Sequence, residues 1–527
     1  MSRRLLLLCI LVGLATASTA SLSILLVQSI TTISHHVWTI PLIKGLLQKG
    51  HRVHVVSICE TNIKDDLAEN LTYAVFDDVM KELRESDTHD PVTWMNYNAF
   101  YMTYFTYFWS ITTCEKIIQS KAARELLEIV RSNEFDVIVQ DVSFHQCLYG
   151  LWEVAKGKPV VGFIPLGTVP WLKDYIGGPN YPNVRSYMNA AIARPVNIWQ
   201  RTLNVLYYIA DDFLRHYYYL PASQRLAEQY VGHKIRPLHE IEKSINIILV
   251  NSHSTFDNGI PLPPNAIEIG GMHAQLQSAI EINSMCEFFD GAEDGAIIIS
   301  LGTNVDWKHV GVDKLKVVVL ALTKLKQRIL WKLDIDASDN VKMPDNVMTV
   351  KWLPQNDVLS HKNVIAIWTH GGLLSTQEAI WRGVPVIGMP FFLDQKYNVE
   401  NLIAKGAGLR LDFEALSTQS VLNALKEIVY NKSYMKNMKR LSNEYRDRAL
   451  PPLDLAIWNI EYAVRNPNGL ASPIRSQSWM EKNLIDIYAI LALSLIVTLS
   501  AVFFVMKILY NYLCKSTASK SCKDKQL

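Results

Sequence analysis

The sequence predicts two successive doubly wound α/β domains carried on one membrane-crossing segment. Three observations support this: short β-branched apolar runs alternate with amphipathic stretches, the alternation repeats either side of a Pro/Gly-rich interruption, and an uncharged stretch lies near the C-terminus. With 527 residues, 49% hydrophobic and 19% charged, the chain can bury a core in each of two or three domains. Such a composition excludes a disordered or fibrous chain.

In chain order, Arg3 and Arg4 precede apolar Leu5 to Ala15 and the small residues Ala17-Ser18-Thr19-Ala20, the layout of a signal peptide over 1–20. Candidate strands follow at Ser23–Val27, Val53–Ile58, Val137–Val139, Val160–Ile164 and Ile247–Val250, then at Ile297–Ile299, Ile329–Leu333, Val364–Trp368 and Val384–Met389. Near-continuous apolar runs suit strands buried on both faces, hence parallel sheets covered by helices. Pro41–Gln48 and Lys121–Val130 carry apolar residues at helical spacing, which makes the units βαβ. The stretch from Leu262-Pro263-Pro264-Asn265 to Gly270-Gly271 reads as the linker, giving domains over 21–270 and 271–455 and C-terminal helices over 456–486. Residues 487–506 hold no charge and, at about 1.5 Å per residue, cross a hydrocarbon core of about 30 Å. The tail 507–527 carries five lysines against Asp524, which fits the positive-inside rule and puts the bulk of the chain on the lumenal side.

Lys+Arg number 52 and Asp+Glu 50, and with the basic tail and leader set aside the mature body is slightly acidic. No basic block marks a nucleic-acid partner, so an anionic ligand must be held by a local site. Mean hydropathy is +0.08, raised by the two terminal segments. Four cysteines remain in the body, Cys59, Cys114, Cys147 and Cys286, too sparse for a disulfide framework and without metal-ligand spacing. Asn70-Leu71-Thr72 and Asn431-Lys432-Ser433 are N-glycosylation sequons, with Asn70 and Asn431 as acceptors.

Open α/β sheets bind ligands beyond the carboxyl ends of their strands. After the first strand comes Ser34-His35-His36-Val37-Trp38, and after Val137–Val139 comes Gln140-Asp141-Val142-Ser143. Each alone has an ordinary reading, His35 as a packed loop residue and Asp141 as a helix N-cap. Together they fit a dyad in which a carboxylate orients an imidazole and stabilises its protonated form. The second half carries a denser set over 44 positions: Trp352-Leu353-Pro354-Gln355, Thr369-His370-Gly371-Gly372-Leu373-Leu374-Ser375-Thr376-Gln377-Glu378 and Pro390-Phe391-Phe392-Leu393-Asp394-Gln395. The strand before His370 delivers it into a glycine turn that opens a helix, and a helix N-terminus offers free N–H groups to phosphate.

Trp352 through Gln395 resembles the signature of the UDP-glycosyltransferase family that includes the UDP-glucuronosyltransferases. The likeness extends to Ser34-His35 with Gly50-His51, the Ser300-Leu301-Gly302-Thr303 turn, the linker, Trp458-Asn459-Ile460-Glu461-Tyr462 and the C-terminal anchor, with the character of invertebrate members. The resemblance implies a GT-B fold, two facing Rossmann-like domains of which the first takes an acceptor and the second a UDP-sugar. It also implies a helix around Ile457 to Ala463 that returns to the first domain. His35 matches the family's catalytic base and Asp141 its partner. Trp352 and Gln355 match the uracil contacts, His370, Gly371, Gly372 and Ser375 the diphosphate region, Glu378 the ribose contact, and Asp394 and Gln395 the sugar contacts. Ser300, Gly302 and Thr303 fall beside the phosphates. Two departures stand out: Leu374 occupies a position often polar in relatives, and Ile260 falls where glucuronate users tend to have an arginine.

The expected activity is inverting transfer of a hexosyl group, glucose favoured, from a UDP-sugar to a hydroxyl of a small lipophilic acceptor, giving a β-glycoside. UDP-glucuronate is the alternative donor, and a catalytically silent UDP-sugar binder the alternative of another class. A type I receptor is disfavoured by a tail of only 21 residues after Met506 and by the low cysteine density. No cofactor or metal is expected, and a homo-oligomer is allowed. The aromatics of residues 60–230, including Trp94, Phe100, Tyr101, Tyr104 and Phe108, suit an apolar acceptor pocket but equally a core or a membrane-facing surface. Lys523 and Lys525, five and three positions from the C-terminus when Leu527 counts as one, resemble a dilysine retrieval signal of the endoplasmic reticulum.

Overall fold

The computed structural model describes residues 21–61, 63, 65–85, 90–190, 192–257, 259–275, 283–334 and 341–523. The predicted leader and the end of the tail lie outside them. Two units divide after Ser472: one ending at that residue holds both sheets, and the other, Pro473–Leu527, holds a long apolar helix.

The first sheet comprises β1 (Ser23–Val27), β2 (Arg52–Ser57), β3 (Leu71–Val75), β4 (Val137–Asp141), β5 (Val160–Ile164), β6 (Ile247–Val250) and β7 (Ala266–Glu268). Its order is β3-β2-β1-β4-β5-β6-β7, every pairing parallel. The second sheet comprises β8 (Ala296–Ser300), β9 (Arg328–Lys332), β10 (Val347–Val350), β11 (Val364–Thr369), β12 (Val386–Gly388) and β13 (Gly408–Arg410). It runs β10-β9-β8-β11-β12-β13, also wholly parallel. Each sheet thus has a point, β1/β4 in the first and β8/β11 in the second, where successive connections diverge to opposite sides. That is the ligand crevice of a doubly wound sheet.

All nine predicted strands are present, and the four that sequence reading missed, β3, β7, β10 and β13, are the four sheet edges. Interior strands are buried on both faces and read as apolar runs, as in the fully buried Val160–Ile164. Edge strands are short and partly exposed, as in Val347–Val350, so they lack that signature. β7 lies inside the predicted linker, so Ala266–Glu268 belongs to the first sheet and the connection starts later. The helix expected from Pro41 begins at Ile33, which carries Pro41 inside the helix and places His35 and His36 in its first turn instead of a loop. Asp141 is the last residue of β4 and caps no helix.

The helix Pro452–Arg465 lays Leu453, Ala456, Ile457, Ile460 and Ala463 into the core formed by Ile24, Leu26, Trp38, Leu42 and Leu46 of the first domain. The helices approach closely because Gly45 lacks a side chain: a Cβ there would stand 2.8 Å from Ile457 Cδ1. Buried His51 accepts the Leu22 N–H at Nδ1 (3.2 Å), so its Nε2–H donates to Glu461 (3.2 Å). A disulfide, Cys114–Cys147, joins the helix Ala99–Gln119 to the short turn after β4, a pairing the sparse cysteines did not reveal. In the second unit the helix Ile485–Lys523 contains an apolar stretch, Ile485–Leu513, long enough to cross a membrane and wider than the predicted 487–506.

Candidate active site

β1 and β4 are neighbours in register, so His35, in the helix after β1, meets Asp141 at the end of β4 although 106 positions separate them in the chain. His35 Nδ1–H donates to Asp141 Oδ2 at 2.6 Å, and both residues are buried. Asp141 Oδ1 accepts the Ser143 N–H (2.9 Å), so the carboxylate is held at both oxygens. Since a carboxylate only accepts, Nδ1 must carry the proton, which leaves the lone pair of His35 on Nε2.

Adjacent His36 is disqualified as the base by its partners. Ser57 Oγ–H donates to Gln28 Oε1 (2.9 Å), so Ser57 Oγ accepts from His36 Nδ1 (2.9 Å) and His36 Nε2 accepts from Thr61 (3.0 Å). Both ring nitrogens are engaged, and burial lowers the proton affinity of His36 further.

In the second domain the carboxyl ends of β8, β9 and β11 gather Ser300, Gly302, Lys332 and His370. Gly302 has φ +77°, and a Cβ on it would stand 2.4 Å from His370 Cε1, so only glycine admits the imidazole there. His370 contacts Thr369 Oγ1 through Nδ1 (3.2 Å), and burial lowers its pKa to about 4, with Lys332 acting in the same direction. It is therefore neutral at physiological pH. Lys332 Nζ donates to Gly302 O (2.7 Å) and stands 5.0 Å from the Trp352 ring centroid. Trp352 is 57% exposed, with Lys332 over its ring. Thr303 sits exposed beside the turn.

Gly371 (φ +79°) and Gly372 lead into the helix Leu373–Arg382. Gln355 Nε2 donates to Ser375 Oγ (2.9 Å) and to Glu378 Oε2 (2.6 Å), joining three of the expected donor residues. Burial raises the Glu378 carboxyl to about 7, opposed by the Gln355 hydrogen bond and by Arg382. Asp394 Oδ2 accepts from Asn398 Nδ2 (2.7 Å) and the Leu373 N–H (3.2 Å). Burial raises Asp394 to about 6, while His35 pulls the other way, so the second domain's Asp394 lies within electrostatic reach of the first domain's imidazole. Gln395 Oε1 accepts the Phe391 and Phe392 N–H groups (2.8 and 3.2 Å).

Sequence reading missed Lys332, Asn398 and Leu393. Lys332 was hidden inside an apolar strand run, although as the last residue of β9 it sits where ligand groups belong. Leu393 has φ +50° and ψ −134°, a conformation disfavoured for a side chain of its size, immediately before Asp394. Leu374 packs against the first domain's core, and its carbonyl meets His273 Nε2 (3.1 Å). Ile260 lines a pocket with Lys173, Arg185 and Tyr208. Those two cations are already paired, Lys173 with Asp212 and Arg185 with Asp257 (3.3 Å). Asn70 and Asn431 are both exposed.

Two all-parallel doubly wound domains, with a His–Asp pair at one switch point and a glycine turn, Trp, Gln and carboxylates at the other, define a glycosyltransferase of GT-B architecture. Solved structures share it: glycosyltransferase VinC aligns with a TM-score of 0.56 over 84% of this chain and 99% of its own at 17% identity. The calicheamicin glycosyltransferase CalG4 aligns with a TM-score of 0.53 over 85% and 99% at 16% identity. The chain belongs to the family described as UDP-glucoronosyl and UDP-glucosyl transferase, whose model matches residues 24–524. It is similar to UDP-glucosyltransferase 2 of Dactylopius coccus, 31% identical over 75% of this chain and 76% of that one. It is also similar to UDP-glucuronosyltransferase 2B19 of Macaca fascicularis, 28% identical over 88% of each chain.

If Glu378 accepts from the donor's ribose, as the resemblance implies, its raised carboxyl makes donor binding depend on pH. Raising the pH from 6 to 8 ionises it from about one-tenth to nine-tenths, and a carboxylate accepts hydroxyl hydrogen bonds better than a carboxyl. UDP-glucose, whose phosphodiesters do not titrate in this range, should therefore bind up to about tenfold tighter at pH 8 than at pH 6 by calorimetry. Glu378→Gln should flatten that slope, and a wild-type affinity independent of pH refutes the role.

Proposed function

We propose that the enzyme transfers a hexosyl group, glucose in preference to glucuronate, from a UDP-sugar to the hydroxyl of a small lipophilic acceptor with inversion. The observation that carries this reading is the His35–Asp141 hydrogen bond within electrostatic reach of Asp394 across the cleft. An acceptor hydroxyl is a weak nucleophile. His35 Nε2 takes its proton as the oxygen attacks the anomeric carbon, and Asp141 stabilises the imidazolium that forms. The bond from the anomeric carbon to the diphosphate oxygen breaks on the opposite face, so one displacement converts an α-linked donor into a β-glycoside.

In this reading Trp352 stacks on uracil, Gln355 hydrogen-bonds it and Glu378 accepts from the ribose. Asp394 and Gln395 meet the sugar hydroxyls. Charge developing on the diphosphate is met by the N–H groups at Gly371, Gly372 and Ser375, by the turn Ser300, Gly302 and Thr303, and by neutral His370 as a donor, with Lys332 nearby. Protein groups carry this charge, and neither cofactor nor metal is assigned a role.

A lipophilic acceptor is supported by the apolar exposure of the first domain. Phe100, Tyr101, Tyr104 and Phe108 on the helix Ala99–Gln119 and Trp199 and Phe213 on the helix Ile198–Leu214 all face outward. Glucose over glucuronate is supported by Ile260 and by the paired state of Lys173 and Arg185 beside it, which leaves no ready bidentate partner for a sugar carboxylate. Location in the endoplasmic reticulum membrane, with the catalytic domains lumenal, is supported by the apolar helix, the lysine-rich tail and the disulfide.

Three outcomes test the reading. His35→Ala should abolish transfer while UDP binding stays within about twofold, and Asp141→Asn should lower turnover about a hundredfold or more. Near-normal turnover in His35→Ala removes the assignment, since His36 is committed elsewhere. Equal concentrations of UDP-glucose and UDP-glucuronate in competition should yield mainly the glucoside, and a predominance of glucuronide would reverse the donor order. Replacing Lys523 and Lys525 by Ser should release the protein from the endoplasmic reticulum and render its glycans resistant to endoglycosidase H. Unchanged sensitivity excludes the tail as the retrieval signal.

A further inference from the structure

The turn that leads into Asp394 and Gln395 belongs to the second domain, yet the first domain grips it. Phe391-Phe392-Leu393 immediately precedes the helix Asp394–Ala404. Trp94, on the short first-domain helix Pro91–Met95, meets Phe392 edge-on, with ring centroids 5.1 Å apart and planes at 87°. Phe105 of the helix Ala99–Gln119 lies 5.3 Å from the Trp94 ring and steadies it from within the first domain. Lys396 Nζ donates to Met95 O (3.2 Å), a second link to the same short helix. Trp94 and Met102 are buried within the second domain's hydrophobic core, and Leu393 packs against that cluster. Side chains of the first domain thus complete the packing around the turn.

The backbone of the turn shows why it needs outside support. Leu393, at φ +50° and ψ −134°, holds a conformation that a residue with a Cβ keeps only where its surroundings impose it. The restraint passes directly to the two polar side chains. Gln395 Oε1 accepts the Phe391 and Phe392 N–H groups (2.8 and 3.2 Å), so the amide is fixed in orientation and presents its Nε2–H groups as donors. An ionised Asp394 only accepts. A sugar hydroxyl both donates and accepts, so the pair is complementary to it. Displacing Phe392 would turn the Gln395 amide and shift the start of the helix that carries Asp394.

We infer that Trp94 is a positioning residue for donor-sugar recognition: by packing on Phe392 it holds Asp394 and Gln395 against the hexosyl group. The inference rests on the reading that these two side chains meet the sugar. Trp352, Gln355 and Glu378 lie on other segments, so the contribution of Trp94 falls on the sugar and not on the nucleotide. The first domain then takes part in recognising both substrates.

Calorimetric titration of the full-length protein with UDP and with UDP-glucose tests this. Trp94→Leu keeps apolar bulk but loses the ring edge, whereas Trp94→Phe keeps a ring. Trp94→Leu should weaken UDP-glucose about tenfold and UDP by less than about twofold, and Trp94→Phe should return UDP-glucose to within about threefold of the wild type. Both ligands are measured on one preparation, so the ratio does not depend on the fraction of protein folded. A merely structural Trp94 would weaken both ligands in parallel. That result, loss of both, an unchanged UDP-glucose affinity, or a Trp94→Phe no better than Trp94→Leu overturns the inference. Asp394→Asn separates it from the reading beneath. If that variant leaves the ratio unchanged, or if the wild type does not bind UDP-glucose, the sugar assignment falls and this inference with it. A ratio changed by Asp394→Asn but not by Trp94→Leu overturns the role of Trp94 alone.

Discussion

The hydrogen bond from His35 Nδ1 to Asp141 Oδ2, 2.6 Å long and buried, is the interaction on which the rest of the site depends. It exists only because β1 and β4 are adjacent at the point where the first sheet reverses direction. Any shift in that pairing would separate the two side chains and leave a carboxylate buried without its cation-forming partner, an expensive arrangement in low dielectric. The sheet, the helix Ile33–Gln48 that presents His35 and the helix Pro452–Arg465 packed behind it can be read as the support for one short contact.

The candidate donor site in the second domain is not a basic patch. His370 is neutral, Glu378 and Asp394 have their carboxyl pKa values raised by burial, and Lys332 is partly buried, engaged with a carbonyl and has its own proton affinity lowered. Hydrogen-bond donors at a helix N-terminus and a glycine turn are what such a cleft offers to a diphosphate. Such preorganised dipoles act on charge as it develops and need little rearrangement. A slightly acidic body is therefore compatible with an anionic nucleotide ligand.

The two domains also share buried contacts. Gln377, on the helix that opens at Gly372, donates to Asn251 O (3.1 Å) and accepts from the Gly271 N–H (3.3 Å), and Arg185 lies 5.0 Å from the Tyr397 ring. Trp94 meets Phe392 edge-on with centroids 5.1 Å apart. These contacts join the two domains beside the candidate donor residues.

What the sequence determined by itself was local and periodic. Interior strands such as Val160–Ile164 are buried on both faces and could be read from composition, and the apolar helix of the second unit could be read from hydropathy alone. The motif of Trp352, Gln355, His370 and Glu378 was legible because these residues lie within 27 positions of one another, around one strand and the helix after it. Tertiary structure decided everything that depended on distance or exposure: the four edge strands, the Cys114–Cys147 pair, the pairing of His35 and not His36 with Asp141, and the placement of Lys332 against Gly302. The physical reason is common to all of them. An edge, a disulfide or the free nitrogen of an imidazole is defined by what lies beside it in space, and the spacing of residues along the chain carries no record of that neighbour until the sheet order is set.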